Sequence, residues 1–218
     1  MTDPIDRIGV VVPALNEQDQ ILGCLTALGE AAAVVEQPVR IVVVCGGSVD
    51  ATADLARQWG AEVIEGPACP VGTARDLGVR RLLGGNGLWL ATTDADSRVP
   101  GAWLADHLAA ACDAFVGTVD LSPVERAAHP AWVRAYENRV GTLTHEHAHG
   151  ANLGLRATWY VRVGGFGSQS CGEDADLVDR LTHAGAHVVR SSLRPVLTSA
   201  RHVSRVDGGV ATDLAASP

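Results

Sequence analysis

Ile8-Gly9-Val10-Val11-Val12, closed by Pro13, is a short β-branched run with a breaker behind it, and its reading decides the rest. An unbroken apolar run of this length reads as a strand buried on both faces, the kind found in parallel sheets. Residues 15–35 follow with Ile21, Leu22, Leu25 and Leu28 at helical spacing. The next strand is 39–44, stopped by Gly46-Gly47. Ser48 and Asp50 are N-cap candidates for a helix over 51–59, which Gly60 closes. Residues 61–64 read as a third strand and 72–83 as a helix. Gly84-Gly85-Asn86-Gly87 is a turn, and Leu88-Trp89-Leu90-Ala91-Thr92 a fourth strand. Strand and helix alternate four times, which predicts an α/β fold with a mostly parallel central sheet and helices on both faces.

Beyond Pro100 the regularity weakens. A helix is expected over 101–112, a strand over 114–119, a helix over 130–144 and another over 174–184. Short strands are expected at 187–189 and 196–199, with Gly150-Ala151-Asn152 as a turn and the glycines between 164 and 172 as a loop. The tail from Val206 is small and polar. Neither a repeat nor a linker interrupts the chain, so residues 1–218 read as one domain. About 8–98 form a nucleotide-type half, about 99–205 a less regular acceptor and catalytic half, and 206–218 the tail.

The 218 residues carry 17 basic against 25 acidic side chains, and all 17 basic ones are Arg. Without Lys there is no Schiff-base lysine, no pyridoxal attachment and no phosphate-gripping Walker lysine. A net charge of −8 without a basic block argues against nucleic acid as a partner. Five scattered cysteines without a CxxC pair support neither a zinc knuckle nor a disulfide framework, and fit reduced thiols. The polar start MTDPIDR argues against a signal peptide, and no apolar run approaches the roughly 18 residues of a membrane span. A soluble, cytoplasmic protein is expected.

In open parallel sheets, ligands sit at the carboxyl ends of the strands. Pro13-Ala14-Leu15-Asn16-Glu17 stands after the first strand and Asp94-Ala95-Asp96 after the fourth. No G-x-G-x-x-G follows the first strand, which argues against a nicotinamide cofactor. Two carboxylates past a buried strand suit Mg²⁺ or Mn²⁺, although either would also cap a helix starting near Pro100. Glu173-Asp174-Ala175-Asp176 follows a Gly-rich loop and opens a helix. There the macrodipole favours acids anyway, while a positioned carboxylate could equally act as a general base. His145, His147 and His149 alternate, so an extended backbone would put them on one face, as a metal site, a polar strand end or part of an acceptor pocket. His202, between Arg201 and Arg205, could meet phosphate oxygens or belong to a solvated basic face.

Seven segments in order resemble the inverting family 2 glycosyltransferases of the GT-A fold. Residues 8–17 resemble the opening strand and P-x-x-N-E turn, and VVVCGGSVDAT (42–52) is similar to V-V-D-D-G-S-T-D-x-T. Gly72-Thr73-Ala74-Arg75-Asp76 resembles G-x-A-R-N, Asp94-Ala95-Asp96 the D-x-D metal motif, and the stretch 150–156 the G-x-N-x-x-x-R element. Val163-Gly164-Gly165-Phe166 and Gly172-Glu173-Asp174-Ala175-Asp176-Leu177 complete the series, and the match runs from about 8 to 200.

The resemblance implies transfer of a sugar, with inversion, from a UDP-, GDP- or dTDP-sugar to an acceptor hydroxyl, with a divalent cation (Mn²⁺ or Mg²⁺). It implies Asp174 as the base. Pro13, Asn16, Glu17, Arg75 and Asp94 would lie on the donor side, and Asp96 with His202 on the metal. His147, His149, Asn152 and Glu173 are candidates for acceptor contact or support. Cys45-Gly46 stands where the family usually has two Asp, the first of which commonly reads uracil, so the donor base is open. Asp76 in place of the usual Asn bears on the same pocket. The rival readings are a non-catalytic sugar-nucleotide-binding or scaffold protein and a retaining transferase.

Overall fold

In the computed structural model the opening run forms β1 (Arg7–Ala14), which passes through Pro13. The structure describes residues 4–140 and 148–200. Proline lacks a ladder donor, and β1 tolerates it because pairing with the strand on one side stops at Val11↔Thr92. Next come α1 (Ile21–Ala32), β2 (Val39–Gly46), α2 (Thr52–Trp59), β3 (Glu62–Gly66), α3 (Val71–Leu82), β4 (Leu88–Thr92), α4 (Trp103–Ala109) and β5 (Ala114–Leu121). The second half adds α5 (Pro123–Ala128), α6 (Pro130–Val140), a 3-10 turn (Gly150–Asn152), β6 (Leu153–Arg156), α7 (Ala157–Arg162), α8 (Glu173–His183) and β7 (Val188–Thr198).

The sheet has seven strands in the order β3-β2-β1-β4-β6-β5-β7. β3, β2, β1 and β4 run parallel, β6 is antiparallel to both β4 and β5, and β5 and β7 are parallel to each other. Alternate side chains feed two cores. Val10, Val12, Val43, Trp89 and Ala91 pack with α1, α2 and α4. Val11, Val42, Val44, Leu88 and Leu90 pack with α3, α7 and α8 on the other face. Burial on both sides is why these strands are apolar without alternation. Helix α3 lies unusually close to the sheet because Gly78 faces Val11, which a Cβ there would strike.

Four features differ from the sequence reading. Helix α5, strand β6 and helix α7 had no expected counterpart, and the two short C-terminal strands are one strand, β7. Its pairing with β5 shifts register between Gly117 and Val119, which accounts for the break in its apolar pattern. The expected helix over 130–144 is observed to Val140, and its last residues lie outside the described part.

Candidate active site

The chain leaves β1 toward β2 and β3 on one side, then returns to add β4 on the other. The carboxyl ends of β1 and β4 therefore flank a topological switch point, the place where open α/β sheets form their ligand crevice. Asn16 and Glu17 follow β1 and Asp94–Asp96 follow β4, as expected.

Asn16 has φ +53°, a conformation that Asn tolerates better than most residues. Its Oδ1 accepts from Val49 N–H (2.9 Å), and its own N–H donates to Ser48 Oγ (3.1 Å). Glu17 N–H donates to Thr52 Oγ1 (2.8 Å), and Gln18 N–H to Asp50 Oδ2 (3.1 Å). The loops after β1 and β2 are thus laced together. Asp50 also accepts from Thr52 N–H (3.0 Å) and O–H, and although desolvation opposes them these bonds hold its carboxyl below the usual range. The N-cap of α2 is Ala51, without a side-chain cap bond, so neither Ser48 nor Asp50 takes the expected N-cap position.

Where the family writes two Asp, the Cys45 side chain is buried in the core, where desolvation pushes its thiol up to about 11. The space beside Gly46 is taken by Cys69, whose Sγ would lie 3.1 Å from a Cβ at that position. Asp76 does not bear on the donor side as expected. It accepts from Tyr160 O–H (2.8 Å) and pairs with Arg80 (2.6 Å). A neighbour of Arg75 in sequence points elsewhere on a helix.

Arg75, expected beside a nucleoside, is 3% exposed. Its Nη2 donates to Asp94 Oδ1 (2.7 Å) and its Nη1 to Glu173 Oε1. The guanidinium also lies 5.8 Å from the centre of the Phe166 ring. Burial pulls the Arg75 pKa down, but Asp94, Glu173 and Asp174 outweigh it and raise it. Burial pushes the Glu173 carboxyl up, with Arg75 pulling against it. Desolvation likewise raises Asp94, Arg75 opposes, and Asp96 and Asp174 add repulsion. The Asp94 side chain keeps 37% exposure, so solvent tempers that desolvation.

Asp174, in the first turn of α8, accepts from Gly150 N–H at Oδ2 (2.7 Å). Thr92 O–H donates to the Gly150 carbonyl (2.6 Å), fixing the same residue from β4. Sequence reasoning missed Thr92 as a support, though a hydroxyl ending an apolar strand was the available signal. Asn152 is fully buried. Its Oδ1 accepts from Trp103 Nε1–H (2.9 Å) and its Nδ2 donates to Thr118 O (2.8 Å), so it braces the scaffold and presents nothing to an acceptor. His149 Nε2 lies 3.1 Å from Tyr136 Oη, and Tyr136 stacks on Trp132 at 4.8 Å. Both rings are buried, in packing roles.

Ser97 Oγ lies 3.4 Å from Asp96 Oδ1 and 3.3 Å from Thr198 Oγ1, which brings the end of β7 beside Asp96. His202, like His145 and His147, lies outside the described residues. Desolvation is what chiefly lifts Asp94, and Asp96 and Asp174 lie near enough to add smaller repulsions. Carboxylates are the hard oxygen donors a divalent cation takes, but among the described residues no group of three His, Cys, Asp or Glu is gathered closely enough to hold one.

The architecture is that of the GT-A glycosyltransferases. Against the mannosyltransferase PcManGT from Pyrobaculum calidifontis, solved with GDP-Man and Mn²⁺, the TM-score is 0.70 at 20% identity, covering 92% of this chain and 60% of that one. Against S. aureus TarS 1–349 in complex with UDP-GlcNAc the TM-score is 0.66 at 15% identity, covering 93% and 61%. The family described as Glycosyl transferase family 2 matches residues 9–160, and the chain belongs to it. Among curated proteins, the succinoglycan biosynthesis protein ExoA of Rhizobium meliloti is 28% identical over 82% of this chain and 59% of its own length. The chain spans about three-fifths of these relatives.

Proposed function

We propose that the protein is a cation-dependent, inverting glycosyltransferase that moves a sugar from a nucleoside-diphosphate sugar to an acceptor hydroxyl. The observation that carries this is Asp174 at the start of α8. It is held to Gly150 by one carboxylate oxygen, and Arg75 ties its neighbour Glu173 to Asp94 after β4.

Asp174 takes the proton of the acceptor hydroxyl as its oxygen bonds to the anomeric carbon. The bond from that carbon to the diphosphate oxygen breaks, and the nucleoside diphosphate leaves with the electron pair. Attack opposite the leaving group inverts the anomeric centre. A divalent cation, when bound, offsets the charge gathering on the leaving diphosphate. Asp96 and His202 would hold it. Pro13, Asn16, Glu17 and Asp94 line the donor side. PcManGT and GpgS of Mycobacterium tuberculosis were both solved with Mn²⁺, which supports the choice of metal.

Asp174→Asn keeps the shape and removes the base. Turnover should fall by roughly 10²-fold or more while donor affinity stays within a few fold. Unchanged turnover would sink the assignment.

A further inference from the structure

Arg75 is the buried charge that the chemistry above leaves unused, and its surroundings connect it to the base rather than to the donor. Its guanidinium reaches Glu173, 98 positions away at the start of α8, and Asp94 in the loop after β4. It also rests on Gly150, where any Cβ would run into the guanidinium. Gly150 is the residue whose N–H holds Asp174. Arg75 therefore reaches Asp174 from two sides, through the residue before it in the chain and through the peptide that binds its carboxylate.

We propose that Arg75, with Glu173, is a positioning residue for the base: the buried Arg75–Glu173 pair seats Gly150 and fixes Asp174 relative to the donor loop. This rests on the reading of Asp174 as base. The chemistry of the pair fits the task. A buried ion pair adds little net stability over apolar side chains of the same size, but it fixes geometry, and Arg holds two carboxylates at once in its rigid fork. With only 3% of Arg75 exposed, a nucleoside has no face of it to contact.

The test separates positioning from stability. Arg75→Met alone leaves Glu173 buried without its partner and should lower Tm sharply. The double variant Arg75→Met/Glu173→Met removes both charges and should recover most of that Tm. Its affinity for whichever GDP-, UDP- or dTDP-sugar the protein turns over, measured calorimetrically with Mn²⁺, should stay within about threefold of wild type. Its kcat for nucleoside diphosphate release should nonetheless remain down on the order of 10²-fold, the cost of a misplaced catalytic group. Arg75→Lys, which keeps the charge but loses the fork, should fall between. Recovery of kcat together with Tm would reduce the pair to a structural role and overturn the proposal. Weakened donor affinity with kcat retained would make Arg75 a donor contact and overturn it too. Asp174→Asn is run in parallel. If that variant turns over normally, the base reading itself fails, whereas an inactive Asp174→Asn beside an active double variant defeats only the positioning role.

Discussion

His107 on α4 sits among Trp89, Trp103 and Phe115, with ring centres 6.0, 4.8 and 4.4 Å away, and is 1% exposed. Its Nδ1 accepts from Trp89 Nε1–H at 3.3 Å, which leaves the proton of the neutral ring on Nε2. Burial pushes its pKa from 6.5 down to about 3, and the Asn152 side chain opposes this only in part. The folded state therefore binds fewer protons than the unfolded one between those values. The contribution of His107 is full above pH 6.5 and is lost as pH falls toward 3. His107→Gln should melt below wild type at pH 7.5. By pH 4.5 wild type gives up roughly 3 kcal/mol that the variant does not, so the gap should close by about 5–10 °C. A gap that stays constant with pH would show that the imidazole is not held neutral. Comparing the two proteins at each pH cancels the carboxylates, which titrate in both.

At the scale of elements, α5 shows what the sequence offered and how it was passed over. Ser122-Pro123-Val124-Glu125 is a capping box with Pro at the first helical position. Ser122 Oγ accepts from Glu125 N–H, and Glu125 Oε2 accepts from Ser122 N–H (3.1 Å). The other oxygen of Glu125 accepts from Ala200 N–H (2.9 Å), so this one-and-a-half-turn helix also pins the exit of β7. Ser122→Ala should cost about 1 kcal/mol, read as a lower urea midpoint at unchanged m. No change in midpoint would mean that the cap carries no weight. Strands β1, β2 and β4 were legible because each is an apolar run between breakers, largely buried on both faces, whereas β3, a half-exposed edge strand, was legible from Val63-Ile64 and its place in the alternation. Strand β6 was not. Leu153-Gly154-Leu155-Arg156 is four residues long with a glycine inside, and it is a strand only because β4 and β5 pair with it from either side. Its glycine is required because His107 and Trp89 crowd the space a Cβ would fill. That is a tertiary fact, with no trace in local pattern.

At the scale of the whole molecule, the site is assembled from both halves of the chain. The loops after β1 and β4 come from the first half, and Gly150 and the start of α8 from the second. Order and spacing pointed to Asp94, Asp96 and Asp174. They could not show that Arg75 ties two of these segments together, that Asp76 turns away to Tyr160, or that Cys69 fills the space beside Gly46. Those outcomes depend on which helix faces which loop. With no carboxylate at Cys45-Gly46, the proposed donor's nucleoside would have to be read by other groups, so donors with different bases must be compared directly. The central claim is that this crevice binds a nucleoside-diphosphate sugar through a cation on Asp96. Isothermal calorimetry of the protein with GDP-, UDP- and dTDP-sugars, with and without Mn²⁺, tests it most directly. The account predicts that at least one donor binds, that chelating the cation weakens it at least tenfold, and that Asp96→Ala does the same. No binding by any donor at millimolar concentration with Mn²⁺, or binding indifferent to both cation and Asp96, would contradict it.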